Sequence, residues 1–413
     1  MKIKTRFTLS TMLFYIALTC VVSYAILEDT VISIPEFTGM RRILLIVAGV
    51  CLFRKAKFVI NTFRKKEYIS IMVVLVLFLF SLVVSARMNM TTYADVKPVY
   101  ATVNLCIFLI ELFVIAVYAA EHKKVNQVFH FLFWYALIVV LVTDFIMFTG
   151  AMTFTDGLFE TYLIGTKFSV SYIHIYLLAF FLMIQKSKLR FKTRYIMLVL
   201  CFSFIVVAVA QHVDCNTGIL GCLLLVGIFL VFNVSPNRWL KRFASGQVFT
   251  AFSVGSCVTA FLFEAILANP FIEHIVVDIL QRSTTMTGRT EIFGAFILKM
   301  AGHWLWGYGY GSAYRTSMTL FKYADAQNGL LQWILQIGII PTCIMVILFV
   351  MIFMRLAKVD NKMPIMPVIA LIYVFVILGT VEITMNMNFF LWMALIFMWI
   401  HRKERKIECL YEN

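Results

Sequence analysis

Apolar runs of membrane-spanning length follow one another along most of this chain. Crossing a hydrocarbon core of roughly 30 Å as a helix takes about 20 apolar residues. Unpaired backbone amides are costly in lipid and no segment alternates like a barrel strand, so helices are the predicted element. The runs lie near residues 8–27, 38–53, 69–86, 98–120, 128–149, 167–185, 195–213, 216–233, 247–268, 329–354, 365–381 and 387–400. We therefore predict an all-α polytopic membrane protein with about 12 transmembrane helices in one integral membrane domain, 1–413.

The apolar pattern has one long interruption, over residues 269–328 between the ninth and tenth runs. After Asn269-Pro270, apolar residues recur at helical spacing to Leu280, which predicts a short amphipathic helix on the membrane surface or over the bundle. A turn-forming run over 283–288 then precedes a second helix, so Arg289 is predicted in or beside its first turn. Long loops in compact domains are usually functional, and we expect the chemistry here.

Composition excludes a soluble fold. Hydrophobic residues occupy 62% of the 413 positions and charged residues 14%, whereas roughly a quarter of a soluble domain is charged. The nine cysteines contain no CxxC pair, so neither a disulfide framework nor a thiolate metal site is predicted. No acidic or histidine cluster typical of a metal site occurs in the predicted outer segments, and we expect no metal or other cofactor.

The distribution of basic residues predicts the orientation. With the N-terminus inside, 26 of the 36 Lys and Arg residues fall in cytoplasmic segments and 10 in outer segments. By the positive-inside rule both termini are then cytoplasmic, and 269–328 is extracytoplasmic. The net charge of +15 is spread over short segments with no single basic face, so nucleic-acid binding is not predicted.

Arg289 is the first candidate for chemistry. A helix start offers free N–H groups and the positive end of the helix dipole, and a guanidinium adds a forked donor that matches phosphate oxygens. This placement suits a pyrophosphate. The competing interpretation is an arginine paired with Glu291 or with a lipid phosphate at the interface.

Two further motifs follow in the interruption. Gly307-Tyr308-Gly309-Tyr310-Gly311 predicts a loop where backbone approaches a ligand closely and aromatic faces stack on sugars or lipid headgroups. An interfacial aromatic belt explains the aromatics equally well. Asp325-Ala-Gln327-Asn328 opens the tenth run, where Asp325 could act as a base. The competing interpretation is that Asp325 or Asn328 caps the helix.

The order of these motifs resembles the signature region of the O-antigen polymerase and ligase family, bacterial polytopic proteins that move lipid-linked glycans outside the membrane. The resemblance covers roughly residues 282–342, from Thr-Gly-Arg289-Thr through the glycine loop to Asp-Ala-Gln327-Asn328-Gly-Leu-Leu-Gln-Trp-Ile-Leu-Gln-Ile-Gly338. Upstream, Gly165-Thr-Lys167-Phe and Asn216-Thr-Gly218-Ile resemble weaker family motifs. The late, long outer loop is similar too.

Two departures from the family pattern change what the resemblance implies. The family's usual histidine position is Gln327, which can hydrogen-bond but cannot accept a proton. Either Asp325 takes over, or the histidine mainly positions groups. The family's arginine after the middle outer loop has no counterpart near Asn216, and Lys167 or Arg315 could supply that cation.

The resemblance implies polymerisation of undecaprenyl-pyrophosphate-linked repeat units by inverting glycosyl transfer. Arg289, Asp325, Gln327 and Asn328 are the implied catalytic residues. The implied substrate-binding residues are Arg282, Lys167, Arg315, Gly307, Gly309, Tyr308 and Tyr310. The implied partners are the lipid-linked glycan donor and acceptor, membrane lipids, and a chain-length regulator and flippase. The implied location is the bacterial cytoplasmic membrane.

Two alternatives remain open. A ligase of the same family would transfer finished glycan to another acceptor, and no motif distinguishes it. A lipid-linked oligosaccharide flippase or other transporter is the rival class, because ionisable residues inside membrane spans often mark a pathway. The residues concerned are Glu111, Asp144, His174, Glu264 and Glu382. Of these, Glu264 and Glu382 are expected to be solvated near span ends, and His174 to be a satisfied core histidine.

Overall fold

A computed structural model describes residues 8–27, 35–150, 154–155, 160–184, 193–234, 236–274 and 288–403, and helices make up nearly all of it. In chain order they are α1 Leu9–Ile26, α2 Pro35–Phe63, α3 Lys66–Met88, α4 Pro98–Glu121, α5 Val125–Thr149, α6 Lys167–Ile184, α7 Thr193–His212, α8 Asn216–Val234, α9 Pro236–Phe243, α10 Gly246–Phe261, α11 Phe263–Leu267, α12 Pro270–His274, α13 Arg289–Lys299, α14 Ala313–Leu320, α15 Gly329–Ile337, α16 Ile339–Leu356, α17 Met366–Leu378 and α18 Met387–Ile400. A 3-10 turn, Met363–Ile365, leads into α17.

Eight of the described helices are long and apolar enough to cross a membrane: α1, α3, α4, α5, α6, α7, α8 and α16. Three shorter apolar helices correspond to α10, to α17 with its 3-10 turn, and to α18. The 29-residue α2 also carries basic residues along its length. An all-α polytopic membrane protein is therefore confirmed, whereas the count of twelve spans stays a prediction.

The central helices differ from the peripheral ones in burial. Almost every residue of α17 and α18 is buried, and α4 and α6 have 72% of their spanning windows buried, against 22% for α7 and 28% for α5. Peripheral helices expose large apolar side chains such as Phe145 and Phe204. That surface suits lipid. In a bilayer, an apolar side chain gains no hydrophobic free energy by moving from the lipid tails to contact another apolar side chain.

Contacts between connections define two ends of the bundle. At one, which we call the loop-rich end, residues 89–97, 213–215, 288–328 and 379–386 meet. Arg315 lies 3.5 Å from Asp95 there, and Ser85 donates to the carbonyl oxygen of Trp306 (2.6 Å). The opposite end holds residues 64–65, 122–124 and 357–365. The described chain from 288 to 338 thus packs back onto the starts and ends of distant helices.

The described part of 269–328 has its own hydrophobic cluster, separate from the bundle core. Ile292, Phe293 and Phe296 on one face of α13 pack with Phe321 and with residues of α15. A helix starting at Arg289 is confirmed. Of the predicted amphipathic helix, α12 covers Pro270–His274, and the remainder lies outside the described residues.

The tenth apolar run, predicted as one helix over 329–354, is two helices with a break at Gly338. Gly338 has φ 81° and ψ 176°, a backbone conformation that residues with a side chain rarely adopt. The carbonyls freed near the break are satisfied by the glycine loop: Tyr308 N donates to Leu335 O (2.9 Å) and Gly309 N to Gln336 O (2.7 Å). Because these two backbone N–H groups replace the hydrogen bonds that the helix loses at Gly338, the helix can break inside an apolar run.

A small antiparallel sheet lies between α5 and α6, where the sequence analysis predicts no secondary structure. Its strands are β1 Phe154–Thr155, β2 Glu160–Tyr162 and β3 Gly165–Thr166, in the order β1-β2-β3. Thr161 pairs with Phe154 on one side and Thr166 on the other. Such short strands carry too few residues for an alternating pattern to be visible in the sequence. β3 runs directly into α6, which begins at Lys167.

Candidate functional site

Arg289 is the centre of the candidate site, and the structure places it at the first residue of α13. Its side chain is 9% exposed. Nε and Nη2 donate to the carbonyl oxygen of Val381 (2.9 and 2.8 Å), and Nη2 also donates to Glu382 Oε1 (2.8 Å). Arg289 is therefore held against the connection between α17 and α18. The pairing with Glu291 considered from the sequence is wrong, because Glu291 accepts a hydrogen bond from Tyr323 instead (2.9 Å).

Gly288 makes this geometry possible. Its φ of 84° is a left-handed conformation that non-glycine residues adopt at a cost. The ring of Tyr323 lies where a β-carbon on Gly288 would stand. The start of α13 is consequently covered by an aromatic ring whose hydroxyl is held by Glu291 in the first turn of the same helix.

Glu382 is a site residue that the sequence analysis did not assign, and the expectation that it is solvated is wrong. Its side chain is only 13% exposed. Burial raises the pKa of Glu382 to about 7; the negative charge of Asp325 adds to the rise, and the positive charges of Arg289 and Lys167 oppose it. A buried carboxyl with a pKa near neutrality, beside a specific cation, is typical of functional sites. The sequence signal was a lone acidic residue at the end of an apolar run.

Asp325 lies in the same cluster. Its Oδ1 accepts the backbone N–H of Gln327 (2.8 Å), which closes a local turn and is not a cap on α15. Burial raises the pKa of Asp325, against the opposing effects of the Gln327 N–H and of Arg289. Two carboxyls with raised pKa values therefore flank one arginine.

Gln327 connects the cluster to α15. It has φ 52°, which is uncommon for a residue other than glycine, asparagine or aspartate. This backbone conformation turns the chain between Asp325 and Asn328. Both the backbone and the side chain of Gln327 hydrogen-bond to the carboxyl of Asp325, which the sequence analysis considered as a base.

Asn328 is the N-cap of α15, so that interpretation of its motif is confirmed. Its Oδ1 accepts from Leu330 N and Leu331 N (both 3.0 Å), and its Nδ2 donates to Ser256 O (3.1 Å) and Thr380 O (3.2 Å). A carboxamide offers two acceptor positions and two donors. All four are used within the protein, and the side chain is fully buried.

The glycine loop approaches backbone rather than an open ligand site. A β-carbon on Gly307 would lie 2.5 Å from the carbonyl of Gln336, and one on Gly309 would lie 2.8 Å from Pro98. Tyr308 is buried; its hydroxyl donates to Lys299 O (2.8 Å), and its ring stacks on His303. Gly307, Gly309 and Tyr308 thus pack at the break near Gly338, and Gly307 also borders a small cavity with His303 and Trp306; their role in substrate binding stays a prediction.

Tyr310 is placed differently from Tyr308. Its ring stacks on that of Trp333, with centroids 5.8 Å apart and planes 12° apart. It lines a cleft near the start of α2. Tyr310 therefore borders a cavity, and its role in substrate binding stays a prediction.

Two of the three remaining predicted cations, Lys167 and Arg315, lie within the described residues. Lys167 donates to Asp214 O (2.9 Å) and lies 3.6 Å from Asp214 Oδ2, and its charge acts on Glu382. Arg315 forms its ion pair with Asp95 at an exposed position, and no described contact joins it to Arg289. Arg282 lies outside the described residues. Of the two described cations, Lys167 is thus placed electrostatically with the Arg289 cluster.

The cluster of Arg289, Glu382, Asp325 and Lys167 can do two things chemically. Its cations can neutralise an anion, and a carboxyl with a pKa near 7 can accept a proton near neutral pH. Within the described ranges, no three His, Cys, Asp or Glu side chains are grouped as a metal site would require.

No protein-family model, curated protein or solved structure matches this chain.

Proposed function

We propose that this protein polymerises undecaprenyl-pyrophosphate-linked oligosaccharide repeat units into a surface polysaccharide such as O-antigen, capsule or exopolysaccharide. It would be a glycosyltransferase of the bacterial cytoplasmic membrane, acting with inversion at the outer face. The motif order from Arg289 to Gly338 supports the proposal through its resemblance to O-antigen polymerases.

One observation carries the proposal beyond that resemblance. Arg289 and Glu382, which are 93 residues apart in sequence, meet at 2.8 Å, with Asp325 and Lys167 acting on the same carboxyl. A transfer from a lipid pyrophosphate needs a cation for the leaving group and an acceptor for one proton. This cluster contains both within one partly buried site.

The reaction transfers a growing glycan chain from one lipid pyrophosphate to the sugar of another lipid-linked unit. An acceptor hydroxyl attacks the anomeric carbon, a new carbon–oxygen bond forms, and the bond to the pyrophosphate oxygen breaks with its electron pair. The hydroxyl proton passes to the carboxylate of Glu382, and the lipid pyrophosphate departs. Because this leaving group is already good, orientation and charge neutralisation supply most of the catalysis.

The residues divide the work as follows. Arg289 and Lys167 neutralise charge growing on the pyrophosphate. Burial raises the pKa of Glu382 toward neutrality and the negative charge of Asp325 adds to that rise; Asp325 is itself held by Gln327. Glu382 therefore replaces Asp325 as the first candidate for the base, and Gln327 positions Asp325 without accepting a proton.

The test supplies purified protein with lipid-linked repeat units and follows glycan growth as a ladder on gels. Glu382→Gln keeps the side chain's shape but cannot accept a proton, so elongation should fall about 10²- to 10⁴-fold. In the wild type, the base works in its deprotonated form, and elongation should rise as pH increases through about 7. Arg289→Ala should also abolish the ladder.

Glu264→Gln is the matched control, since Glu264 is an exposed glutamate at the same end. It should elongate glycan like the wild type. Thermal unfolding of every variant separates lost chemistry from lost folding. Equal ladders from wild-type and Glu382→Gln protein would contradict the role of Glu382, and a folded Arg289→Ala protein with normal ladders would contradict the site. Transfer of whole glycan to a different acceptor would indicate a ligase.

A flippase is the second candidate, favoured by ionisable groups buried inside the bundle. His174 Nε2 lies 3.2 Å from Asp144 Oδ2 between α5 and α6, and Glu111 is buried in α4. His174 also bonds Val170 O (2.8 Å), as a satisfied core histidine would. Lipid-linked substrate that crosses proteoliposome membranes without growing would favour this candidate.

A further inference from the structure

A cavity at the loop-rich end is lined by residues that the Arg289 site does not use. Its volume is about 350 Å³, which lies in the size range of ligand pockets. It is bounded by the end of α3 and by the turn 302–307 that follows α13. We call it the indole cavity, because Trp304 and Trp306 line it, together with His303 and Asn89.

Hydrogen bonds within the protein hold the walls of the indole cavity in place. Ser85 Oγ and Asn89 Nδ2 both donate to the carbonyl oxygen of Trp306 (2.6 and 3.2 Å). Ile339 N donates to the carbonyl oxygen of Trp304 (2.8 Å). The end of α3 and the start of α16 thus fix the turn from two sides. A ligand would meet walls that are already ordered, which lowers the free-energy cost of binding.

His303 is held so that one ring nitrogen remains for a ligand. Its Nδ1 lies 3.1 Å from the carbonyl oxygen of Gly307. Because a carbonyl oxygen only accepts, Nδ1 carries the proton of the neutral ring, and Nε2 is then an acceptor. Tyr308 covers one face of the ring, with centroids 3.9 Å apart. Within the part of the chain that the structure describes, Nε2 has no hydrogen-bond partner.

The two tryptophans add hydrogen-bond donors. An indole N–H only donates, and it usually has a partner when it is buried. Trp304 and Trp306 are both partly buried, and neither N–H meets an acceptor among the described residues. The residues that line the indole cavity can therefore offer a ligand two aromatic surfaces, two donors and one acceptor.

These groups distinguish between classes of ligand. Of the described residues that line the cavity, none is Asp, Glu, Lys or Arg, so a phosphate would lack a counter-charge. A hydrocarbon tail would leave the indole N–H groups and Nε2 without partners, which is costly. An uncharged sugar fits better, because its hydroxyls both donate and accept, and aromatic rings pack against its apolar faces. Met88 and Leu305 line the cavity and are exposed, so a ligand can reach it from the surface.

The indole cavity and the Arg289 site lie near opposite ends of α15. Residues 302–307 lead into the glycine loop, whose N–H groups bond Leu335 and Gln336 at the end of this helix. Asn328 caps its start, three residues after Asp325. The nine residues of α15 separate the two regions by roughly 13 Å at 1.5 Å per residue. An oligosaccharide of a few sugars spans such a distance, whereas a single sugar does not.

We propose that the indole cavity binds an uncharged sugar of the glycan chain, at a distance from the pyrophosphate that Arg289 neutralises. This inference rests on the proposed function, because a polymerase has to hold a chain that extends beyond the reacting bond. Trp304 and Trp306 pack against the sugar and donate to its hydroxyls, and His303 Nε2 accepts from one of them.

The test measures, by saturation-transfer NMR, how tightly the purified full-length protein in detergent binds a lipid-free oligosaccharide. The probe is the oligosaccharide that mild acid releases from the lipid-linked repeat units of the ladder assay. His303→Asn keeps a side-chain N–H close to the position of Nδ1, for the bond to Gly307, and removes Nε2. Trp306→Phe keeps an aromatic ring and removes the N–H. Each variant should bind the probe about fivefold more weakly, because each loses one hydrogen bond.

Trp134→Phe is the matched control, because Trp134 is an exposed tryptophan of α5 that does not line the cavity; it should bind the probe like the wild type. Thermal unfolding shows which variants are folded. Unchanged affinity in a folded His303→Asn or Trp306→Phe protein would overturn the inference, and so would a wild type that does not bind the probe. Displacement of the probe by phosphatidylglycerol would also overturn it, because the cavity would then hold lipid.

Two results separate this inference from the proposed function. If the wild type binds the probe, both variants bind it more weakly and no ladder forms, the sugar site stands and the polymerase fails. If the wild type builds ladders but His303→Asn binds the probe as tightly as the wild type, the polymerase stands and the sugar site fails.

Discussion

At the scale of single residues, the buried pair of Arg289 and Glu382 lowers the stability of the folded protein at neutral pH but provides a carboxyl that can take up a proton there. Taking charges out of water is costly, and close attraction offsets the cost only in part. The pKa of Glu382, raised to about 7 by burial, means that the folded protein holds this proton more tightly than the unfolded chain. Its contribution to stability is therefore greatest in acid and is lost as pH rises to about 7. Such a site is tolerable where function needs a base that works near neutral pH.

Gly288 allows a matched test of the geometry around Arg289. Gly288→Ala would put a side chain on a left-handed residue and against the ring of Tyr323, so it should destabilise the protein by about 2–4 kcal/mol. Gly294→Ala, in the same helix with no atom within 4 Å of the added carbon, should instead stabilise it by about 0.5–1 kcal/mol.

Unfolding of both variants in a denaturing detergent measures the difference. Loss of stability in Gly294→Ala as large as in Gly288→Ala would show that α13 tolerates no change at all, and that the left-handed turn is not the cause. Gly288→Ala should also slow glycan elongation, because Arg289 follows it directly.

Single residues also show the limits of prediction from sequence. Arg289 was predictable at a helix start, because turn-forming residues precede an apolar periodic segment. Its partner Glu382 was not, since no local pattern records contacts between segments 93 residues apart. Gln327 was singled out by resemblance, whereas its left-handed backbone follows from the turn that Asp325 closes.

At the scale of elements, α15 depends on its cap more than a surface helix does. Asn328→Ala would remove two cap bonds and the two hydrogen bonds that its Nδ2 donates to the carbonyl oxygens of Ser256 and Thr380. The expected loss is about 3 kcal/mol or more. Ser245→Ala, which removes the single cap bond to Val248 at the start of α10, should cost about 1 kcal/mol.

Denaturant or thermal unfolding compares the two caps, and the ladder assay accompanies it. An Asn328→Ala protein as stable as the wild type but unable to elongate glycan would contradict the capping role. It would instead restore Asn328 as a residue that positions substrate.

The break between α15 and α16 shows why hydropathy located an apolar segment correctly but did not predict where its helices begin and end. Residues on both sides of Gly338 are apolar, so a window over 329–354 reports one continuous span. The break depends on donors from Tyr308 and Gly309, about thirty residues upstream, and only the folded chain brings them there. The packing of Gly307 and Gly309 against this break could not be predicted for the same reason.

At the scale of the whole molecule, the distribution of charge predicts which end faces out. Lys322 in the loop-rich end and Lys123 at the opposite end are both exposed lysines with positive φ, so they form a matched pair. A membrane-impermeant maleimide should label Lys322→Cys in intact bacterial cells. Lys123→Cys should be labelled only after the cells are made permeable.

Wild-type protein gives the background from the native cysteines. Labelling of Lys123→Cys alone in intact cells would invert the topology and remove the extracytoplasmic site. Ser312, although in the same loop, is fully buried and would report burial rather than sidedness.

The contact between Arg289 and the connection before α18 has a consequence for how the protein is made. A chain emerging from the ribosome completes α13 long before residues 381 and 382 exist, since these partners follow Arg289 by 92 and 93 positions. Until the last two helices insert, the arginine has neither the Val381 carbonyl nor the Glu382 carboxylate. Under the proposed function, the nascent protein would be unable to catalyse transfer on lipid-linked sugars it meets during synthesis, and activity would begin only when insertion is finished.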